Sequence, residues 1–148
     1  MILEIRDREN QDIILRLEVG QLVGVNLRGR RMRYANLNGV NLHLANMHRS
    51  DLWGSDFRDA DLRLADLSYA NVGNADFSGA KLAGVNLDGA RYNSRTLWPT
   101  GFNPLDWGAR FEGEVTKDAP GVTESPADDA RRRTEQILAM WRTRPQNI

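Results

Sequence analysis

From Leu22 onward every fifth residue is large and apolar or aromatic: Leu22, Leu27, Met32, Leu37, Leu42, Met47, Leu52, Phe57, Leu62, Leu67, Val72, Phe77, Leu82, Leu87, Tyr92 and Leu97. At ordinary apolar content, chance produces sixteen such centres in register on the order of once in a million trials. The neighbours are biased too. Two residues before the centre the chain places a small or β-branched residue, usually Ala, in fourteen of sixteen units; Arg30 and Arg95 are the exceptions. One residue before the centre stands Asn or Asp in eleven of sixteen. The two positions after it are mostly polar or Gly.

A period of five fits neither common element. In an α-helix five residues advance the face by roughly 140°, which scatters the centres around the cylinder. In a flat strand an odd period sends successive centres to opposite sides. A coil remains, in which each unit makes one short side and one turn and points its centre inward. Four sides bring residues 20 apart into register, and sheet spacing sets a rise of about 4.8 Å per coil. The expected rod has four coils and stands about 19 Å tall. Phe57 and Phe77 then stack ring on ring between Leu37 and Leu97, and Leu42, Leu62 and Leu82 form a second core column. Asn and Asp suit the turns because their side chains bond nearby backbone.

The units "ANLNG", "SDFRD", "ADLRL", "ADLSY", "ADFSG" and "VNLDG" resemble the pentapeptide-repeat family. The resemblance covers residues 20–99 and implies an all-β solenoid, a right-handed quadrilateral parallel β-helix. The stretch from "ARYNSRTLWPTGFNP" to "WGARFEG" is similar to the closing segment of many bacterial members. The family shares no catalytic residues, so none carries over. Some members act by binding DNA gyrase as DNA-shaped mimics.

The ends of a solenoid need covers. Residues 1–19 read as an N-terminal β-hairpin cap, with strands at 2–6 and 12–18 around Arg8-Glu9-Asn10-Gln11. Residues 100–125 read as an irregular wrap and linker. Trp98, Phe102, Leu105, Trp107 and Phe111 are too apolar for water and are expected over the last coil. Residues 126–145 read as an amphipathic α-helix: Ser125 as N-cap, Pro126 in the first turn and Pro145 as its stop. Ala130, Ile137, Leu138 and Trp141 make one stripe at helical spacing. It is expected to pack on the rod, on a second copy or on another partner.

Charge narrows the functional reading. The 148 residues carry 20 Lys plus Arg and 20 Asp plus Glu. That balance argues against a dedicated nucleic-acid binder, and against an acidic DNA mimic unless charge gathers on one face. The densest cluster is Arg28, Arg30, Arg31 and Arg33. A structural role is expected for it, with Arg30 bending out to Glu18 or Asp12; a phosphate or nucleic-acid site is the other reading. Seven Asp in residues 51–90 face three bases, and turn formation explains them. No cysteine is present, which excludes disulfides, thiol nucleophiles and thiolate metal sites.

His43 and His48, the only histidines, do not make a metal set. "HRSD" at 48–51 suggests a triad, but Ser50 falls on an inward position. The glycines follow the turn rhythm and form no phosphate loop. No catalytic, cofactor or metal site is expected, and no membrane span. The chain reads as a cytoplasmic, non-enzymatic rod binding another protein, with DNA mimicry toward gyrase as the alternative. Candidate contacts are the outward Leu44, Leu64, Trp53 and Tyr69, and Ile137, Leu138 and Trp141 of the C-terminal stripe, which also offers a homodimer.

Overall fold

A computed structural model describes residues 2–113. The expected helix over 126–145 lies outside the described residues, as do Ile137, Leu138 and Trp141.

The repeat winds into parallel ladders. Asn26 pairs with Asn46, Asn46 with Asp66 and Asp66 with Asn86, each step 20 residues. The same step links Arg31, Asp51, Asn71 and Arg91, as well as Asn36, Asp56 and Asp76. Four units therefore complete one coil, and the molecule is a parallel β-helix. A regular set of backbone hydrogen bonds joins each coil to the next: Leu42 N donates to Asp61 O at 2.8 Å, and Asp61 N to Val40 O at 3.0 Å.

One turn recurs between units. The residue three after each centre from Leu22 to Leu87 donates back to the centre's carbonyl, as Ala45 N does to Leu42 O at 3.0 Å. The residue two after the centre has positive φ in all fourteen units from Leu22 to Leu87. The residue before it does not, which leaves the type II turn. Gly fills this position in seven units; Tyr34, Leu44, Arg49, Asp59, Leu64, Tyr69 and Asn74 fill it in the others. The Asn or Asp before the centre locks the turn. Its Oδ1 accepts the backbone N–H two residues on, at Asn41 to His43, Asp61 to Arg63, Asp76 to Ser78 and eight further units.

The centres make the core. Leu42, Phe57, Leu62 and Phe77 are fully buried, and Leu82 nearly so. The alanines two residues before the centres, Ala35, Ala45, Ala60, Ala65, Ala70, Ala75, Ala80 and Ala90, line the inner corners, all buried. Ser50 and Ser55 replace Ala there and are also buried; their hydroxyls donate to Met47 O and Met32 O. The Ser50 hydroxyl is thus spent on the backbone. Phe57 and Phe77 stack at 4.9 Å, nearly parallel.

The register does slip once. Asp76 pairs with Leu97, 21 residues on, and Phe77 N donates to Leu97 O at 2.7 Å. Leu97 is 51% exposed, and Trp98 takes the expected core place, stacked on Phe77 at 4.8 Å. The turn after Tyr92 holds one extra residue, closed by Asn93 and Thr96: Thr96 N donates to Asn93 O, and Asn93 N to Thr96 Oγ1. Thr96, not Arg95, is the buried corner residue. The Arg95 exception was the mark of this insertion.

Both ends are covered by non-repeat chain. Strands β1 (Ile2–Arg6) and β2 (Ile13–Glu18) form an antiparallel hairpin with an irregularity at Ile5/Arg6. Asn36 N donates to Arg6 O, and Arg8 N to Tyr34 O, which fastens the hairpin to the first coil. At the other end β3 (Arg91–Tyr92) pairs in parallel with β4 (Arg110–Phe111). Between them Pro104–Trp107 makes a 3-10 turn capped by the Asn103 side chain. Phe102 stacks on Trp98, and Trp107 on Phe102, so three rings extend the Phe57–Phe77 column past the repeat. Phe111 packs against Tyr92. Leu105 departs from the expected cover: the 3-10 turn points it to solvent, 52% exposed.

Candidate functional site

With the interior filled by side chains, a rod of this kind offers chemistry only on its outer ladders and at its ends. Leu44 and Leu64 lie one coil apart, are 53% and 55% exposed, and occupy successive left-handed turn positions. The next residue in that column is Gly84, and a Cβ built there would lie 2.6 Å from Leu64 Cδ2. Leu64 thus drapes over a glycine of the coil beyond. Tyr69, 48% exposed, covers Gly89 in the same way, at 2.5 Å.

Trp53 is less outward than expected. It is partly buried, set edge-on to Tyr34 at 5.5 Å and laid over Gly73. Tyr34 itself lies over Gly54. Sequence reasoning passed over Tyr34, although an aromatic residue 20 before a glycine was the available signal. Tyr34, Trp53, Leu64 and Tyr69 sit where the next coil has glycine and no side chain to meet them, whereas the position one coil beyond Leu44 holds Leu64.

The charged groups divide into two kinds. Arg58 forks onto Asp56, and Arg63 onto Asp61 with N···O distances of 2.9 and 2.7 Å. The Arg63 hydrogen bonds hold the Asp61 carboxyl at about 2, against an ordinary 3.8. For Asp56, burial pushes the pKa up, but the Arg58 hydrogen bonds outweigh it and the carboxyl lies below its usual value. Asp51 takes Arg33 at 2.7 Å. Asp66 accepts from the Ser68 hydroxyl, which also meets His48 Nδ1 at 2.7 Å. In that order the hydroxyl donates to the carboxylate, so the histidine does not draw its proton as a base would.

Arg30 does not make the expected pair with Glu18 or Asp12. It is exposed, and no carboxylate partner holds it among the described residues. No group of three acidic or histidine side chains placed to hold a metal occurs among the described residues. None of their helices is long and apolar enough to cross a membrane.

These ladders and turns define a parallel β-helix built on a five-residue unit. The pentapeptide-repeat family model matches eight copies over residues 21–59 and 60–91, and the chain belongs to that family. No curated protein sequence matches it. A pentapeptide repeat protein from the Arabidopsis thaliana thylakoid lumen is 29% identical. The match covers 73% of this chain and 70% of that one, with a TM-score of 0.41. One from Nostoc Pcc 7120 is 28% identical over 61% of this chain and 78% of its own, with a TM-score of 0.35.

Proposed function

We propose that the chain is a non-enzymatic scaffold whose outer apolar ladder, centred on Leu44 and Leu64 and flanked by Tyr69, contacts another protein. The right-handed, quadrilateral wind that the family resemblance implies belongs to the same proposal. One observation carries the contact reading. Leu44 and Leu64 hold positive φ, where a β-carbon costs on the order of 1 kcal/mol and glycine is free of that cost. Half the units use glycine there, yet these two keep large apolar side chains half in water. A surface that accepts both backbone strain and apolar exposure has the character of a contact site.

The alternative, DNA mimicry toward gyrase, needs a continuous acidic face. Asp51, Asp56 and Asp61 are each tied to an arginine, which leaves that reading without such a face in the middle coils.

Site-specific photo-crosslinking tests the contact. A photoreactive residue at Leu44 or Leu64 is expected to capture one partner in the source cell, and the same residue at Asn38 is not. Identical capture from all three positions defeats the reading. Homodimerisation through residues 126–145 is separate. Light scattering on the whole chain and on a form ending at Gly121 tests it, and an unchanged mass excludes that role.

A further inference from the structure

The balanced net charge conceals an uneven distribution along the rod. The first coil, residues 21–40, contains Arg28, Arg30, Arg31 and Arg33 and no Asp or Glu. The next two coils hold Arg49, Arg58 and Arg63 against Asp51, Asp56, Asp59, Asp61, Asp66 and Asp76. The ladder gathers the first-coil cations on one corner. Gly29 N donates to His48 O, so Arg49 lies directly beyond the Arg28–Arg30 turn. Arg31 pairs through its backbone with Asp51, and Tyr34 N bonds to Trp53 O, which brings Arg33 beside the Trp53 ring.

The turn itself shows how the charge is left free. In the Asp61-Leu62-Arg63 turn, one Asp oxygen accepts the Arg63 amide at 3.1 Å while the carboxylate neutralises the guanidinium. The Asn26-Leu27-Arg28 turn keeps the same amide bond, also 3.1 Å, but puts a neutral Asn under the cation. Arg28, Arg30, Arg31 and Arg49 are exposed, and none has a carboxylate partner among the described residues. Arg33 does meet Asp51 and also lies over Trp53 at 5.5 Å; Arg49 lies over Tyr69 at 5.9 Å. A guanidinium laid on a ring turns its N–H edge outward, the orientation that takes a phosphate bidentately.

We infer that this corner is a binding surface for single-stranded nucleic acid. Four guanidiniums without a carboxylate partner among the described residues supply phosphate contacts. The arginine–aromatic pairs Arg33–Trp53 and Arg49–Tyr69 supply surfaces on which bases stack, for which an acidic peptide has no use. A flexible strand can follow a convex corner, whereas a stiff duplex touches it at few phosphates.

Fluorescence anisotropy with a labelled single-stranded 20-mer, on the full chain, tests this. About four phosphate contacts predict an affinity loss of about 50-fold between about 50 and about 200 mM salt. The variant R28Q/R30Q/R31Q/R49Q is expected to weaken binding at least about tenfold, and R58Q/R63Q to leave it unchanged. Equal binding by the quadruple variant overturns the inference. So does equal or tighter binding of a poly-glutamate peptide, which marks an acidic-protein surface, or tighter binding of duplex DNA. Should the quadruple variant not fold, arginine modification of the native chain decides. The strand must shield Arg28, Arg30, Arg31 and Arg49, and shielding elsewhere defeats the inference.

Discussion

Replacing Trp98 and Leu97 separately by alanine tests the register slip, because the two registers rank these substitutions in opposite order. Trp98 stacks on Phe77 at 4.8 Å and on Phe102 at 5.4 Å, and meets Tyr92 edge-on at 5.7 Å. Removing a buried Trp side chain costs about 3–5 kcal/mol. The loss here belongs near 3 kcal/mol, because Trp98 keeps some exposure. The gap cannot close by collapse, since the backbone ladders hold the coils at fixed spacing. Leu97 is half exposed, so Leu97→Ala should cost less than about 1 kcal/mol. An unbroken five-residue register would put Leu97 in the core and Trp98 outside. Urea unfolding with a common m-value measures both. A larger loss for Leu97→Ala than for Trp98→Ala refutes the slip and the reading of Arg95 with it.

Other outcomes follow from individual turns and corners. Gly89 has φ +68° and lies under the Tyr69 ring, so Gly89→Ala should lose about 1–2 kcal/mol by thermal melting, with part restored by Tyr69→Ala. No restoration would show that the ring does not rest on that glycine. The Ser55 hydroxyl accepts Ala35 N and donates to Met32 O, so Ser55→Ala should cost about 1 kcal/mol. Ser50→Ala should be milder, since it removes one bond to Met47 O at a corner where other units carry Ala. Equal losses would contradict the bonding. Asp61 binds its proton near 2 when folded and near 3.8 when unfolded. Its contribution is present in full above that window and is lost as pH falls through it. Solvent exposure keeps it within about 1 kcal/mol. Asp61→Asn keeps the turn acceptor and should flatten the fall in stability between pH about 4 and about 2. An unchanged acid profile would place that dependence elsewhere.

Much of the fold was legible because each unit repeats one local solution. The Ala at the inner corner, the Asn or Asp whose oxygen closes the turn, and the apolar centre are each set within five residues, and fourteen turns agree on the same backbone. The outer surface was less legible. Trp53 looked outward by position, yet an open site over Gly73 and the edge of Tyr34 drew it partly inward. Arg30 looked ready for an ion pair with the hairpin, but the hairpin fastens to Tyr34 and Asn36 instead.

The chain alone determined the period, the inward columns and the turn chemistry, because these depend on residues close along the backbone and on a spacing that cannot be satisfied otherwise. Only the folded ladder decided where that spacing breaks, since one added residue after Tyr92 leaves the local pattern plausible and becomes visible only when Trp98, not Leu97, meets Phe77. The ladder also decided which arginines are neutralised. A guanidinium finds its carboxylate through the turn and coil that carry it, and those neighbours lie two residues or a whole coil away.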